Sequence, residues 1–172
     1  EKIRFRAVAT NRAADAVWLI EQQLVEVIQI TYSTFVTDAE EGLFSLAQAR
    51  GVGLLCRMPL AQGILTGKFR PGQPIPADHR AHRAYGQMSP RINMAWDLRP
   101  LAAKYEGGMT RLALHFSLMP PAISAIIPGS RTIQQLEENV AASNGAGMSS
   151  DIRARLDEIR TAWVQEQGQS VP

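Results

Sequence analysis

Residues 126–139 read IIPGSRTIQQLEEN, which combines a short apolar strand, a Pro-Gly-Ser-Arg turn and the start of a helix. The turn places backbone N–H groups, the Ser130 hydroxyl and the Arg131 guanidinium at a helix N-terminus, where the peptide dipoles favour an anion such as phosphate. Thr132 stands at the position of a helix N-cap, and Gln135, three residues later, can reach back to it in a capping box. The stretch therefore predicts a strand that leads into a preorganised anion site.

Composition limits the classes of protein and partner. The chain has 172 residues, of which 45% are hydrophobic and 20% charged, and this is typical of one soluble globular domain spanning residues 1–172. The 18 basic residues are scattered among 16 acidic ones without a basic run, so we expect neither nucleic acid nor a membrane as a partner. A single cysteine, Cys56, cannot form an internal disulfide, which favours a reducing compartment and hence a cytoplasmic location.

Strand and helix patterns alternate along the chain. The predicted strands cover residues 3–9, 27–33, 52–56 and 123–127, and the predicted helices cover 13–23, 38–50, 94–105, 110–118, 134–143 and 151–163. Residues 52–56 are almost wholly apolar, which indicates a strand of a parallel sheet covered by helices. Four such units suit either an open doubly wound sheet or part of a (β/α)8 barrel, and the periodicity leaves both open. Residues 69–90, rich in Pro, Gly, His and Arg, predict a long, lid-like loop.

Several short motifs do not support the chemistry that they first suggest. Residues 51–53 begin like a dinucleotide fingerprint but precede a strand instead of following one. Residues 63–69 are one residue short of a phosphate-binding loop and place Phe69 where a Ser or Thr would hold magnesium. His79 and His82 lie in a polar loop without a third strong ligand nearby, so we expect no metal site.

Two groups of residues remain candidates for binding. One joins the 130–131 turn to Gln135, Glu138 and Asn139, which can present polar tips near one helix start; the alternative is a capped helix with a solvated face. The other is residues 58–63, directly after a buried strand, with Lys68 shortly beyond them. Loops at the carboxyl ends of parallel strands are where α/β proteins bind ligands.

The wording and order of these motifs resemble the aldo-keto reductase family over essentially the whole chain. The matching segments are residues 1–11 with strand five of the family, 28–30 with strand six, 51–68 with strand seven and its PLxxGxLTGK loop, 109–114 with its ALAW helix, and 126–139 with strand eight and its IPGxxxxxQLxEN helix. The resemblance implies the C-terminal half of a (β/α)8 TIM barrel, with parallel strands and outer helices. It also implies NADP(H) as the cofactor.

The resemblance assigns cofactor contacts position by position. At the nicotinamide end, Gln29 would bond the carboxamide, Thr10 and Asn11 would close the end of the first strand, and Arg57 would stand where many members stack an aromatic ring. The pyrophosphate would contact Pro59, Leu60 and Lys68, with Arg80 as a clamp from the long loop. The adenosine 2′-phosphate would be held by Gly129, Ser130, Arg131 and Gln135, and the adenine by Glu138 and Asn139.

The family's catalytic tyrosine, lysine, aspartate and histidine lie on strands two to four, and no residue of this chain matches them. Tyr32, Tyr85 and Tyr105 fall on other elements, so we expect no catalytic residue here and an inactive chain on its own. The resemblance implies an intact parent that reduces a small-molecule carbonyl substrate, or oxidises the alcohol, with an N-terminal half-barrel or a second chain covering the exposed strand edges. The alternative is a non-catalytic NADP(H)-binding or regulatory subunit.

Overall fold

A computed structural model describes residues 2–75 and 85–167 of the chain. Arg80, His79 and His82 lie outside the described residues. The strands are β1 (Ala7–Thr10), β2 (Val27–Thr31), β3 (Gly53–Arg57) and β4 (Ile123–Ile127). The helices are α1 (Ala13–Glu21), α2 (Leu43–Arg50), α3 (Tyr85–Asp97), α4 (Arg99–Ala102), α5 (Gly108–Leu118), α6 (Ile133–Ala141) and α7 (Ser150–Gln167), with short 3-10 helices at Asp38–Glu40 and Ala61–Thr66.

The four strands form one sheet in the order β1-β2-β3-β4, and every pair is parallel. Gln29 in β2 lies between Ala9 of β1 and Leu55 of β3, and Arg57 at the end of β3 lies between Thr31 and Ile127. A parallel sheet needs crossover connections, which the helices supply. The predicted parallel α/β fold is confirmed.

The two faces of the sheet differ in burial. The side chains of Ile28, Ile30, Leu54 and Cys56 point to the helix layer and are fully buried. Those that alternate with them, including Gln29 and Arg57, are only partly buried, because no described element covers that face. The burial places the core between the sheet and its helices and leaves the other face open.

Both edges of the sheet carry exposed apolar side chains. Ile3 and Phe5, just before β1, are 68% and 67% exposed. Beside β4, α6 has an apolar stripe at 77%, 52% and 65% exposure, formed by Ile133, Leu136 and Val140. No described strand pairs with the outer backbones of β1 and β4, so within residues 2–75 and 85–167 these surfaces lack a neighbouring element.

The largest differences from the predicted boundaries occur at three elements. The first strand begins at Ala7 and not at residue 3, because β2 offers no partner before Val27. The helix predicted for 38–50 is interrupted at Gly42, whose φ of 97° is left-handed. The helix α3 begins at Tyr85, inside the predicted 69–90 loop, and contains Pro90.

The early start of α3 has a packing cause. Met88, Ile92 and Ala95 are spaced on one face of the helix, and all three are buried in the core. Their burial outweighs the hydrogen bond that Pro90 cannot donate. Among the described helices, none is both long and apolar enough to cross a membrane.

The thiol of Cys56 lies deep in the core. Its Sγ donates to the carbonyl oxygen of Tyr32 at 3.0 Å, and burial raises the pKa of the thiol to about 12. Cys56 is therefore a buried, protonated strand residue at neutral pH, as the sequence indicates.

The last helix, α7, is held by an ionic cluster. Arg153 donates to both carboxylate oxygens of Glu40, at 3.1 and 3.2 Å, and to Asp157 at 2.6 Å, while its guanidinium lies 4.6 Å from the centre of the Phe116 ring. The buried Tyr32 hydroxyl donates to Glu40, and burial is the first cause that raises the Tyr32 pKa. The cluster ties α7 to the segment that follows β2.

We expect Arg153→Met to lower the free energy of unfolding by about 2 kcal/mol, because it leaves the partly buried Glu40 without its cation. Arg155→Met is the matched control on the same helix: Arg155 and Glu158 are 67% and 63% exposed, so its loss should cost less than about 0.5 kcal/mol. Urea denaturation of both variants measures the difference. Equal effects would show that the cluster does not anchor α7.

Candidate functional site

The carboxyl ends of all four strands meet at one edge of the sheet, because the strands are parallel. Arg57 of β3 pairs with Ile127 of β4, so the connections that follow these two strands begin side by side. Pro59 and Gly129, each two residues further on, therefore open neighbouring loops at this edge. The two candidate groups of the sequence lie next to each other.

A cluster of three side chains spans the ends of β1, β2 and β3. The Arg57 Nε donates to the Thr31 hydroxyl at 3.2 Å, and its Nη2 donates to Oδ1 of Asn11. The Thr31 hydroxyl in turn donates to the same Asn11 oxygen at 3.2 Å. The guanidinium is held across the edge of the sheet by two neutral oxygens.

Asn11 therefore holds the Arg57 guanidinium and does not cap α1. The N-cap of α1 is Arg12, which makes no side-chain cap. The first helical N–H, that of Ala13, donates to Asp38 at 3.3 Å. Thr10 serves the same turn, since its hydroxyl accepts from the backbone N–H of Arg12 at 3.1 Å.

Gln29 lies on the open face of the sheet, one pleat below Thr31. Its amide makes no hydrogen bond within the part of the chain that the structure describes, although it is only partly exposed. An amide in this position can donate and accept hydrogen bonds with a ligand that covers the open face.

The loop after β3 has an unusual backbone. Met58, Ala61 and Gln62 have positive φ values of 59°, 44° and 58°, and Gly63 follows at 91°. Left-handed conformations are costly for residues with a side chain, and such strain concentrates at ligand sites. The loop thus supports the prediction that this connection binds a ligand, through its backbone groups.

The side chains of this loop divide between core and surface. Pro59 and Leu60 are buried, so only their backbone can line a ligand. Lys68 is exposed, and its ammonium lies 4.9 Å from the centre of the Phe69 ring. The Lys68 ammonium therefore lies at the protein surface, in the segment that follows β3.

The turn after β4 is built differently from a capping box. The Thr132 hydroxyl accepts from the Gln135 N–H at 3.2 Å, as predicted. Oε1 of Gln135, however, accepts from the N–H of Arg131 at 2.8 Å, one residue before the cap. This bond fixes the Pro-Gly-Ser-Arg turn against the first turn of α6 and leaves Nε2 of Gln135 as a donor.

The polar groups beyond the turn do not all face solvent. Gly129, Ser130 and Arg131 are exposed, and Arg131 forms no ion pair with the described residues. Glu138 is exposed and accepts from Gln134 at 3.1 Å. Asn139 is only 7% exposed, so it lies against the core and not beside Glu138 on one polar face.

Positive charge gathers at this edge. Arg57, Lys68 and Arg131 follow β3 or β4, and each lies at or beyond the carboxyl end of its strand. Among the described residues, no three His, Cys, Asp or Glu side chains come together as a metal site would require. The arrangement suits an extended anion that reaches from the open face to the start of α6.

Sequence reasoning overlooked two features of this site. Thr31 joins Arg57 to Asn11, and its spacing of two residues from Gln29 on a predicted strand was the available signal. The left-handed residues Met58, Ala61 and Gln62 gave no signal, because none of them is a glycine.

A parallel sheet with outer helices, one open face and a basic carboxyl edge is an arrangement expected of part of an α/β barrel protein. The profile described as the Aldo/keto reductase family matches residues 2–161, and the chain belongs to this family. The predicted family and half-barrel fold are thereby confirmed.

Individual proteins to which the chain is similar are reductases or dehydrogenases. L-glyceraldehyde 3-phosphate reductase of Escherichia coli K12 is 33% identical over 128 residues, which is 69% of this chain and 36% of that protein. The NADH-specific methylglyoxal reductase of the same organism is 32% identical over 123 residues, covering 70% and 37%. A glycerol dehydrogenase structure from Gluconobacter oxydans superimposes with a TM-score of 0.76 at 20% identity, over 95% of this chain and 50% of that one. The chain thus spans little more than a third of these curated relatives.

We expect Gln62→Gly to raise the free energy of unfolding by about 0.5–1 kcal/mol, because glycine relieves the left-handed strain and Gln62 is exposed. Gln48→Gly in α2 is the matched control, and there the same change should cost about 1 kcal/mol. Urea denaturation measures both. A destabilised Gln62→Gly variant would show that the loop is not strained.

Proposed function

We propose that this chain is the cofactor-binding half of an NADP(H)-dependent aldo-keto reductase whose intact form interconverts a carbonyl compound and its alcohol. The observation that carries the proposal is the turn before α6, where the Arg131 N–H donates to the Gln135 side chain and the Arg131 guanidinium has no ion-pair partner among the described residues. This turn adjoins the loop after β3, so one dinucleotide can reach both.

The described residues fit such a cofactor chemically. Gln29 offers an unengaged amide for the nicotinamide carboxamide, and Arg57 lies at the same end of the open face. The strained loop after β3 and Lys68 are suited to the pyrophosphate. Ser130, Arg131 and Nε2 of Gln135 present a hydroxyl, a guanidinium and an amide donor to a 2′-phosphate.

The adenine would lie beside α6. Glu138 is exposed and can reach a ligand beside α6, whereas the buried Asn139 can contribute only the edge of its amide. The backbone of Gly129, which precedes the phosphate-binding residues, allows close approach to the turn. These roles, and that of Arg80, are proposals from the family resemblance.

The residues present in this chain suit cofactor binding and not proton transfer to the substrate. When bound, the cofactor supplies a hydride to the carbonyl carbon or accepts one from the alcohol. The residues of this chain bind and orient the dinucleotide, and the proton at the carbonyl oxygen comes from a tyrosine on the other half-barrel. We therefore expect no turnover by this chain alone.

The same division explains the open edges. An N-terminal half-barrel, on the same polypeptide or a second chain, would pair with the outer backbones of β1 and β4 and cover the apolar stripe of α6. The small-molecule carbonyl substrate would then bind over the open face. The buried, reduced Cys56 suits the reducing cytoplasm.

Replacing Arg131 tests the choice of cofactor. Arg131→Ala should weaken NADPH binding to the chain about tenfold and leave NADH binding nearly unchanged, because only NADPH carries the 2′-phosphate that the guanidinium would pair with. Nucleotide fluorescence titration measures both affinities. Arg50→Ala, at the end of α2 and exposed on the opposite edge of the sheet, is the matched control and should change neither.

Other outcomes of the titration would change the assigned role of Arg131 or the assigned cofactor. Equal losses for both cofactors would remove Arg131 from the phosphate role, and preference for NADH in the unaltered chain would place it with relatives such as the NADH-specific reductase. Activity decides between reductase and regulatory subunit: with an N-terminal half supplied, only the reductase consumes NADPH when an aldehyde is added.

A further inference from the structure

Resting on the proposed function, we infer that Arg57 makes the site distinguish the redox states of the cofactor, so that it binds the reduced nicotinamide more tightly than the oxidised one. The structure fixes the charge of this guanidinium in place. The site would then select between two forms of one cofactor as well as between NADPH and NADH.

The Arg57 guanidinium is immobilised but not neutralised. Its two hydrogen-bond acceptors, the Thr31 hydroxyl and the Asn11 side-chain oxygen, carry no net charge. No carboxylate lies within 4 Å of its nitrogens among residues 2–75 and 85–167. The full positive charge therefore remains at the end of the open face.

The position of this charge relative to Gln29 follows from the strand register. Thr31 stands two residues beyond Gln29 on the same face of β2, which is about 6.6 Å along the strand. Arg57 pairs with Thr31 across the sheet and donates to its hydroxyl. A nicotinamide whose carboxamide bonded Gln29 and whose ring lay toward the carboxyl edge would therefore stand near the guanidinium.

The two redox states of that ring differ by one charge. The oxidised pyridinium is positive and is repelled by the guanidinium, whereas the reduced dihydropyridine is neutral and is not. A neutral aromatic side chain at this position would lack the repulsion. The phosphates are identical in both forms, so Lys68 and Arg131 act on both equally.

The consequence is a bias in occupancy. In a mixture of both forms, the site fills with the reduced cofactor, and bound oxidised cofactor leaves more readily. By linkage, tighter binding of the reduced form also stabilises it relative to the oxidised form on the protein. Asn11 and Thr31 act as positioning residues, because they hold the charge where it has this effect.

The experiment measures dissociation constants of NADPH and NADP+ for the full chain, by nucleotide fluorescence and by calorimetry. The ratio of the NADP+ constant to the NADPH constant should fall about tenfold in Arg57→Gln, which corresponds to about 1.4 kcal/mol. Arg57→Lys keeps the charge and should keep most of the ratio. Arg131→Gln removes a charge at the other end of the site, so it should weaken both forms and leave the ratio unchanged.

An unchanged ratio in Arg57→Gln, with both forms still bound, would overturn the inference and leave the proposed function standing. Failure of the unaltered chain to bind either nucleotide would overturn both. If Arg57→Gln does not fold, the unaltered chain still decides: raising the salt concentration should reduce the ratio by screening the guanidinium, and a constant ratio counts against the inference.

Discussion

The parallel pairing of neighbouring strands throughout the four-stranded sheet is the constraint on which the rest of the molecule depends. It forces each strand to be followed by a connection at the same edge, and it brings Asn11, Thr31 and Arg57 together at the carboxyl ends of three separate strands. It also sends α6 away from the end of β4 with its N-terminus at this edge. The fold thereby assembles a basic, donor-rich rim from residues that are far apart in the chain.

Parallel pairing also makes the uncovered face of the sheet noteworthy. A parallel sheet is ordinarily covered on both faces, but here the face that carries Gln29 and Arg57 has no cover among the described elements. The side chains on that face are small or polar, apart from Val27, Leu55 and Ile127. The uncovered face, the edges of β1 and β4 that no described strand pairs with, and the superposition on half of a solved structure together fit one half of a closed barrel.

Sequence patterns predicted three of the four strands well, since β4 has the expected bounds and β2 and β3 differ by at most two residues, whereas β1 begins four residues later than predicted. Their apolar runs are long enough to be distinctive. The helical break at Gly42 and the helix through Pro90 could not be predicted, because each is decided by tertiary packing that outweighs a local preference. Met88 and Ile92, for example, reveal their role only when the core is assembled.

Only the part of the candidate site that depends on local contacts could be predicted from the sequence. The turn before α6 follows from local chemistry, so Thr132 could be recognised as a cap from its neighbours alone. The oxygen that receives Arg57 comes from a residue 46 positions away, and no local pattern encodes that contact. Side chains that act across strands, such as Asn11 and Thr31, are the part that only the register shows.

The single thiol of the chain has a practical consequence. Cys56 is sealed beneath the helices and bonded to the Tyr32 carbonyl, so an alkylating reagent can reach it only when β2 and β3 separate from that layer. Its labelling rate therefore measures how often the half-barrel opens locally at this site. Slower labelling on addition of a nucleotide or a complementary half would report that the molecule has been closed, without any change to its sequence.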